Sequence, residues 1–321
     1  MSRSYSARSL AVVCLMLVAI LLPAAGCGGG KKKTKKTMTI GEREALAAKA
    51  PSPEAKAREY VEVVRLKIRS GDKEGAKNTL GKASDCMPEE AVATVWGPRL
   101  VEIAELYAQI DRRAEARKAV GQAVELSEKI DDAISRIRLL AEAGGLYGAK
   151  SGGLSESKLA RDVLGKAVEL SGGVEDRFRA QALSAIAMGY AQAGLAKDAG
   201  KVVEELEASA KGLEDPRPKA EALAAAASVR AQTGDKDAAV GLLKAAAEAA
   251  KSIGEKGIAA ENRTYALLAV ATASANAGDA KTAGSLLKLA EKSAMQVPDP
   301  EAQKNAVEKV RQAQAAVERK K

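Results

Sequence analysis

From about residue 57 to about residue 300, apolar residues recur three and four positions apart, with charged residues between them. That period predicts amphipathic helices. No run of β-branched or aromatic residues alternates at period two, so strands are not expected. Ala, Leu, Glu and Lys, all good helix formers, dominate the same stretch. Ahead of it the pattern changes twice. Leu10 to Ala25 is uncharged and almost wholly apolar, and Gly28 to about Ala55 has no apolar period and is rich in Gly, Lys and Thr, with Pro51 and Pro53. This second stretch reads as a linker with at most a short helical piece. At the other end, "EAQKNAVEKVRQAQAAVERKK" puts Val307 and Val310 on one face and charges elsewhere. A solvated terminal helix over about 301–319 is the expectation there.

The helical stretch repeats itself. Ala76, Ala116, Ala160, Ala199, Ala239 and Ala283 are spaced 40, 44, 39, 40 and 44 residues apart. Each is followed four positions on by an aliphatic residue: Leu80, Val120, Leu164, Val203, Leu243 and Leu287. A second register runs upstream through Tyr60, Leu100, Leu140, Leu183, Leu223 and Leu267. Two registers with one period describe helical hairpins. Gly71-Asp72, Gly194, Gly234-Asp235 and Gly278-Asp279 fall between the paired helices. Glycine reaches the left-handed conformation that ends a helix, and aspartate caps the next one. These turns also break the sustained heptad that a long coiled coil needs.

Hairpin four carries Leu183, Ala187, Tyr190, Gly194 and Ala199, and hairpin two carries Leu100, Ala104, Tyr107, Asp111 and Ala116. Hairpin three has Leu140, Gly144 and Tyr147, then a longer turn, then Ala160. This spacing resembles the tetratricopeptide repeat. Lys67, Arg230 and Ser274 replace the aromatic in hairpins one, five and six, and the period exceeds that family's. The resemblance covers about residues 57–300. It implies an all-α fold, a right-handed α-solenoid of about six helical hairpins with a 39–44-residue period, closed by the C-terminal helix. It also implies that the first helix of each hairpin lines a concave binding face. On that face fall the small residues Ala108, Gly148, Ala191, Ala231 and Ala275, and next to them Arg69, Gln109, Ala149, Gln192, Gln232 and Asn276. The four amides Gln109, Gln192, Gln232 and Asn276 can donate to and accept from a peptide backbone. They are the candidate partner-binding residues.

The N-terminus bears on where this body works. Arg3 and Arg8 precede the 16-residue apolar run, and Ala24-Ala25-Gly26 lead into Cys27. A helix of that run is about 24 Å long, short of the ~30 Å hydrocarbon core, so an uncleaved span fits less well than a secretory signal. The segment resembles the lipobox of bacterial lipoproteins, with Ala24 where leucine is commonest. That resemblance implies residues 1–26 as signal peptide and Cys27 as the lipidated (palmitate-bearing) first residue of the mature chain. Residues 27–56 become a Gly/Lys-rich tether and 57–321 the repeat domain. With Gly28 rather than Asp after Cys27, it implies the periplasmic face of the outer membrane more than the inner membrane.

Charge is divided accordingly. The chain holds 51 basic and 42 acidic residues. Arg3, Arg8, Lys31, Lys32, Lys33, Lys35 and Lys36 lie in residues 1–36 with no acid, leaving 44 basic against 42 acidic in residues 37–321. A nearly neutral body argues against nucleic acid as partner. The lysines beside Cys27 suit anionic headgroups, at about 1 kcal/mol each near the surface.

Chemistry is scarce. The sequence has no histidine, which removes Ser-His-Asp and Cys-His catalysis and His-ligated metal sites. Once Cys14 leaves with the signal and Cys27 takes the lipid, Cys86 is alone, so neither a disulfide nor a thiolate zinc site is expected. "GAKNTLGKA" at 75–83 has glycines six apart and no Ser or Thr after Lys82, which does not make a phosphate loop. The expectation is therefore a non-enzyme without cofactor or small-molecule substrate. It would be a lipid-anchored scaffold holding envelope proteins or peptide segments, or alternatively a self-associating spacer without a peptide groove.

Overall fold

The computed structural model describes residues 38–319. Cys27, the lysine run and the signal segment lie outside the described residues. Fourteen helices follow one another among the described residues, with no strand between them. α1 is Ile40–Ala47. Six hairpins follow: α2 Pro53–Arg69 with α3 Lys73–Ser84, α4 Ala93–Gln109 with α5 Arg113–Ser127, and α6 Ala133–Gly148 with α7 Ser157–Ser171. Then come α8 Asp176–Gln192 with α9 Ala196–Gly212, α10 Pro216–Thr233 with α11 Lys236–Ser252, and α12 Ile258–Asn276 with α13 Ala280–Ala294. α14, Pro300–Glu318, closes the array.

The first helices stack on one another in order, α2 on α4 through to α12 on α14. Each second helix packs on the first helix of its own hairpin and on that of the next, and second helices make no comparable contact with each other. Closer spacing of the first helices places them on the inside of the curve. The chain is an all-α solenoid of helical hairpins, in which each unit is stabilised by its neighbours.

Both registers are interior. The six alanines from Ala76 to Ala283 are at most 1 % exposed, and their aliphatic partners are buried as well. So are Tyr60, Leu100, Leu140, Leu183, Leu223 and Leu267. One continuous apolar cluster runs from Ala47 to Val317. It has few large side chains, so close approach of small ones supplies much of the packing. Leu164 shows this. A Cβ on Gly144 would stand 2.6 Å from its Cγ, and one on Gly189 would stand 2.7 Å from its Cδ2. The side chain occupies a slot cut by two glycines on α6 and α8.

Five of the six hairpin turns share one bond; the longer turn of hairpin three closes instead through Leu154 N–H to the Leu146 carbonyl and Glu156 N–H to the Tyr147 carbonyl. Asp72, Arg112, Leu195, Asp235 and Asp279 each donate a backbone N–H to the carbonyl five residues back, at 2.8–2.9 Å. The residue before each has positive φ: 81° at Gly71, 71° at Gly194, 97° at Gly234 and 89° at Gly278. In hairpin two Asp111 takes this conformation at 64°; aspartate is one of the few residues with a Cβ that visits it. Asp72, Asp235 and Asp279 then accept from the N–H groups of Gly75, Ala238 and Thr282, which caps the second helix.

The body starts earlier than the sequence pattern places it. The compact unit begins at Thr39, not near residue 57. Thr39 and Glu42 form a reciprocal capping box that opens α1. Ser52 caps α2, and Pro53 occupies its first position, where a missing N–H costs nothing. The stretch 39–56 is thus largely helical rather than tether.

Candidate interaction face

The first helices present an inner face whose chemistry changes along the array. Two positions beyond the buried anchors stand Glu62, Glu102 and Glu142, and then Ala185, Ala225 and Ala269. In the first three hairpins the face is charged and partly paired. Arg65 Nη2 donates to Glu102 Oε1 at 2.7 Å, and Arg99 holds the other oxygen of Glu102. Glu105 is pushed above the usual carboxylate range, chiefly by burial and then by the charges of Glu142 and Glu102. Burial raises Glu142 too, with Arg138 opposing.

A cleft of about 360 Å³ opens beside these acids, lined by Glu105, Gln109, Gly145, Leu146, Ala149 and Gln192 among others. Gln109 ends α4 and Gln192 ends α8, and both are exposed. They meet here because hairpin three keeps small residues between them. A Cβ on Gly145 would lie 2.5 Å from Gln192 Oε1. The structure therefore gathers two of the four amides. Gln232 and Asn276 are exposed at the ends of α10 and α12 but do not line this cleft.

The row of small residues does not lie open as the sequence pattern suggests. Ala108 is 8 % exposed, and a Cβ on Gly148 would meet Ala193 at 2.4 Å. Ala108 belongs to the buried apolar core and Gly148 packs against the residue that ends α8; Ala191, Ala231 and Ala275 are half-buried. The side chains that line the groove sit on neighbouring positions of the helical wheel.

A larger cleft, about 600 Å³, lies over hairpins four to six, lined by Phe178, Gln181, Arg217, Glu221, Ala225 and Asn262 among others. Arg217 organises it. Its Nη1 donates to Asn262 Oδ1 at 2.6 Å and its Nε to Glu221 Oε1 at 3.0 Å. Its guanidinium lies 5.5 Å from the Tyr265 ring centroid, and Lys309 of α14 lies 4.7 Å from the same ring. Such cations are attracted to the ring face. Phe178, the only phenylalanine in the sequence, is 40 % exposed at the rim. Sequence reasoning missed this group. The one available signal was an isolated aromatic in a chain with few of them; the Arg217–Asn262 bond spans 45 residues and leaves no local trace.

Residues with possible chemistry are placed elsewhere. Cys86 is half-buried, its thiol donates to the Lys82 carbonyl at 3.1 Å, and burial pushes its pKa up, away from the thiolate that reactivity needs. The glycine-containing segment 75–83 is the body of α3. Among the described residues no cluster of potential metal ligands occurs, and no helix is long and apolar enough to cross a membrane.

No family model matches the chain, and no curated protein matches it. Among solved structures it is similar to the crystal structure of Ton1535 from Thermococcus onnurineus NA1, at 17% identity over 84% of this chain and 83% of that chain, with a TM-score of 0.32.

Proposed function

We propose that this chain is a lipid-anchored, tetratricopeptide-like scaffold of a bacterial envelope, which holds protein or peptide partners along the inner face of its solenoid. The observation that carries this reading is the inner face itself. It offers two clefts, one over hairpins two to four and one over hairpins four to six, lined by amides, an aromatic rim and an ordered arginine. Such a surface pairs with backbone groups and apolar side chains of an extended segment. Cys27 supplies the anchor in this reading, Lys31 to Lys36 add attraction to anionic headgroups, and Gly28 favours the outer membrane.

A pull-down from detergent-solubilised envelope tests it, run with the wild type, with Gln109→Lys/Gln192→Lys, and with Phe178→Asp. Discrete partners at fixed stoichiometry, lost in either inner-face variant, support the scaffold. Recovery of the chain alone, as a self-assembly indifferent to both variants, supports a structural spacer instead.

A further inference from the structure

The slot that holds tyrosine in hairpins two to four holds Lys67 in hairpin one, and its side chain is only 12% exposed. A lysine there needs a counter-charge. None comes from its own hairpin. Lys67 Nζ donates to Glu44 Oε2 of α1 at 2.5 Å, and also reaches Thr79 Oγ1 at 2.8 Å and the Gly75 carbonyl at 3.4 Å. Lys82 on α3 donates to the other oxygen, Glu44 Oε1, at 2.8 Å. The fully buried Thr79 hydroxyl lies 3.1 Å from that same oxygen. Two ammonium groups and a hydroxyl, drawn from both helices of hairpin one, thus enclose a single carboxylate.

α1 brings little else to the contact. It has eight residues, of which only Ala47 is buried, and Leu46 is 59% exposed. A helix this short is not stable alone, so its seat depends on Glu44. Burial opposes ionisation of that carboxyl, yet the hydrogen bonds from Lys67, Lys82 and Thr79 and the charge of Lys67 outweigh it and hold its pKa at about 2. Release of α1 would leave the Lys67 and Lys82 ammonium groups side by side with no carboxylate between them. That state is disfavoured enough for an incoming carboxylate to be taken up in place of the one that leaves.

We propose that Lys67, Lys82 and Thr79 form a carboxylate-binding site on the first hairpin, that Glu44 of α1 fills it in cis, and that on release of α1 the site accepts a glutamate presented by another helix. The site belongs to the folded hairpin and is independent of the anchor and of the inner-face groove, so it stands or falls separately from the scaffold reading.

The test uses the full chain with Glu44→Lys, which sets like charges against Lys67 and Lys82. Amides of residues 40–47 should then exchange at least about tenfold faster than in the wild type. A synthetic peptide copying residues 39–50 should bind this variant at least about tenfold more tightly than the same peptide with Gln at position 44. It should bind neither the wild type nor Glu44→Lys combined with Lys67→Met. Unchanged exchange of α1 in Glu44→Lys, or equal binding of the two peptides, overturns the proposal. Should Glu44→Lys lose protection across residues 180–300 as well, the milder Glu44→Gln carries the same measurements, with faster α1 exchange supporting the site and unchanged exchange refuting it.

Discussion

Replacing Gly189 with alanine asks whether close packing of small residues holds the array together. Gly189 lies within α8, and a Cβ there would sit 2.6 Å from the Ala141 carbonyl oxygen of α6 and 2.7 Å from Leu164 Cδ2. Ordinary contact begins near 3.4 Å. Leu164 has no room to yield, because its Cγ already faces Gly144 from the other side. The carbonyl belongs to the backbone of α6, so α6 and α8 must separate. Overpacking of this kind costs about 1–3 kcal/mol. Against it stands the intrinsic gain of alanine over glycine in a helix, about 0.8–1.0 kcal/mol. Gly165 on α7 isolates that gain, since nothing lies within 4 Å of a Cβ there. Gly165→Ala should therefore stabilise by about 0.8–1.0 kcal/mol. Gly189→Ala should fall about 1–3 kcal/mol below it. Urea unfolding followed by circular dichroism gives the ranking, and hydrogen exchange in α6 and α8 locates it, which matters because repeat arrays depart from two-state behaviour. If Gly189→Ala proves as stable as Gly165→Ala, the helices are not held at the separation on which this packing account depends.

Ala239, 1 % exposed, should tolerate leucine poorly, at about 1–3 kcal/mol, whereas leucine at the exposed Ala245 should cost less; faster hydrogen exchange should be confined to residues 180–300 and spare 60–120. Glu44 gives α1 an acid limit. Its folded pKa is depressed from 4.5 to about 2, so its contribution is complete above about pH 4.5 and drains as pH falls toward 2. Protection of residues 40–47 should follow that curve in the wild type and be flat in Glu44→Gln. Cys27→Ser should leave the precursor unprocessed, and a mature chain whose mass shows an unmodified Cys27 would refute the anchor.

The hairpins were legible because solenoid packing repeats the same demands. A residue that must fit between the two helices of one hairpin has a counterpart in the next, so Ala76 to Ala283 mark one spacing and prove buried throughout. The turns were legible for a similar reason, since a left-handed residue followed by a helix cap leaves few choices. What escaped depends on partners distant in sequence. α1 lies among Gly, Lys and Pro residues that suggest a tether, and although Thr39 and Glu42 mark its start, its seat is made by Lys67 and Lys82. The groove around Arg217 draws on α10, α12 and α14 at once. Only Gln109 and Gln192 of the amide row converge, because whether two residues on successive helices meet depends on what fills the hairpin between them. Gly145 and Ala149 leave that space open.

The irregular slot at the end of the first helix has a single physical requirement behind its varied occupants. Tyr107, Tyr147 and Tyr190 are each 6–8 % exposed there, and burial raises the pKa of all three hydroxyls. Lys67 and Arg230 place long apolar stems in the same position and carry charged tips. Lysine and arginine can do this when the tip finds a partner. For Lys67 that partner is Glu44, and for Arg230 it is Glu207, whose Oε1 lies 2.9 Å from Nη2. Ser274, fully buried, is too short to reach out and donates instead to its own helix at Val270. The slot thus accepts a chain with an apolar stem and a polar end, or a small residue that satisfies itself. An aromatic is one solution among these. Each charged solution brings in an acid from a further helix, so departure from the repeat pattern in hairpin one is what gives α1 a place to dock.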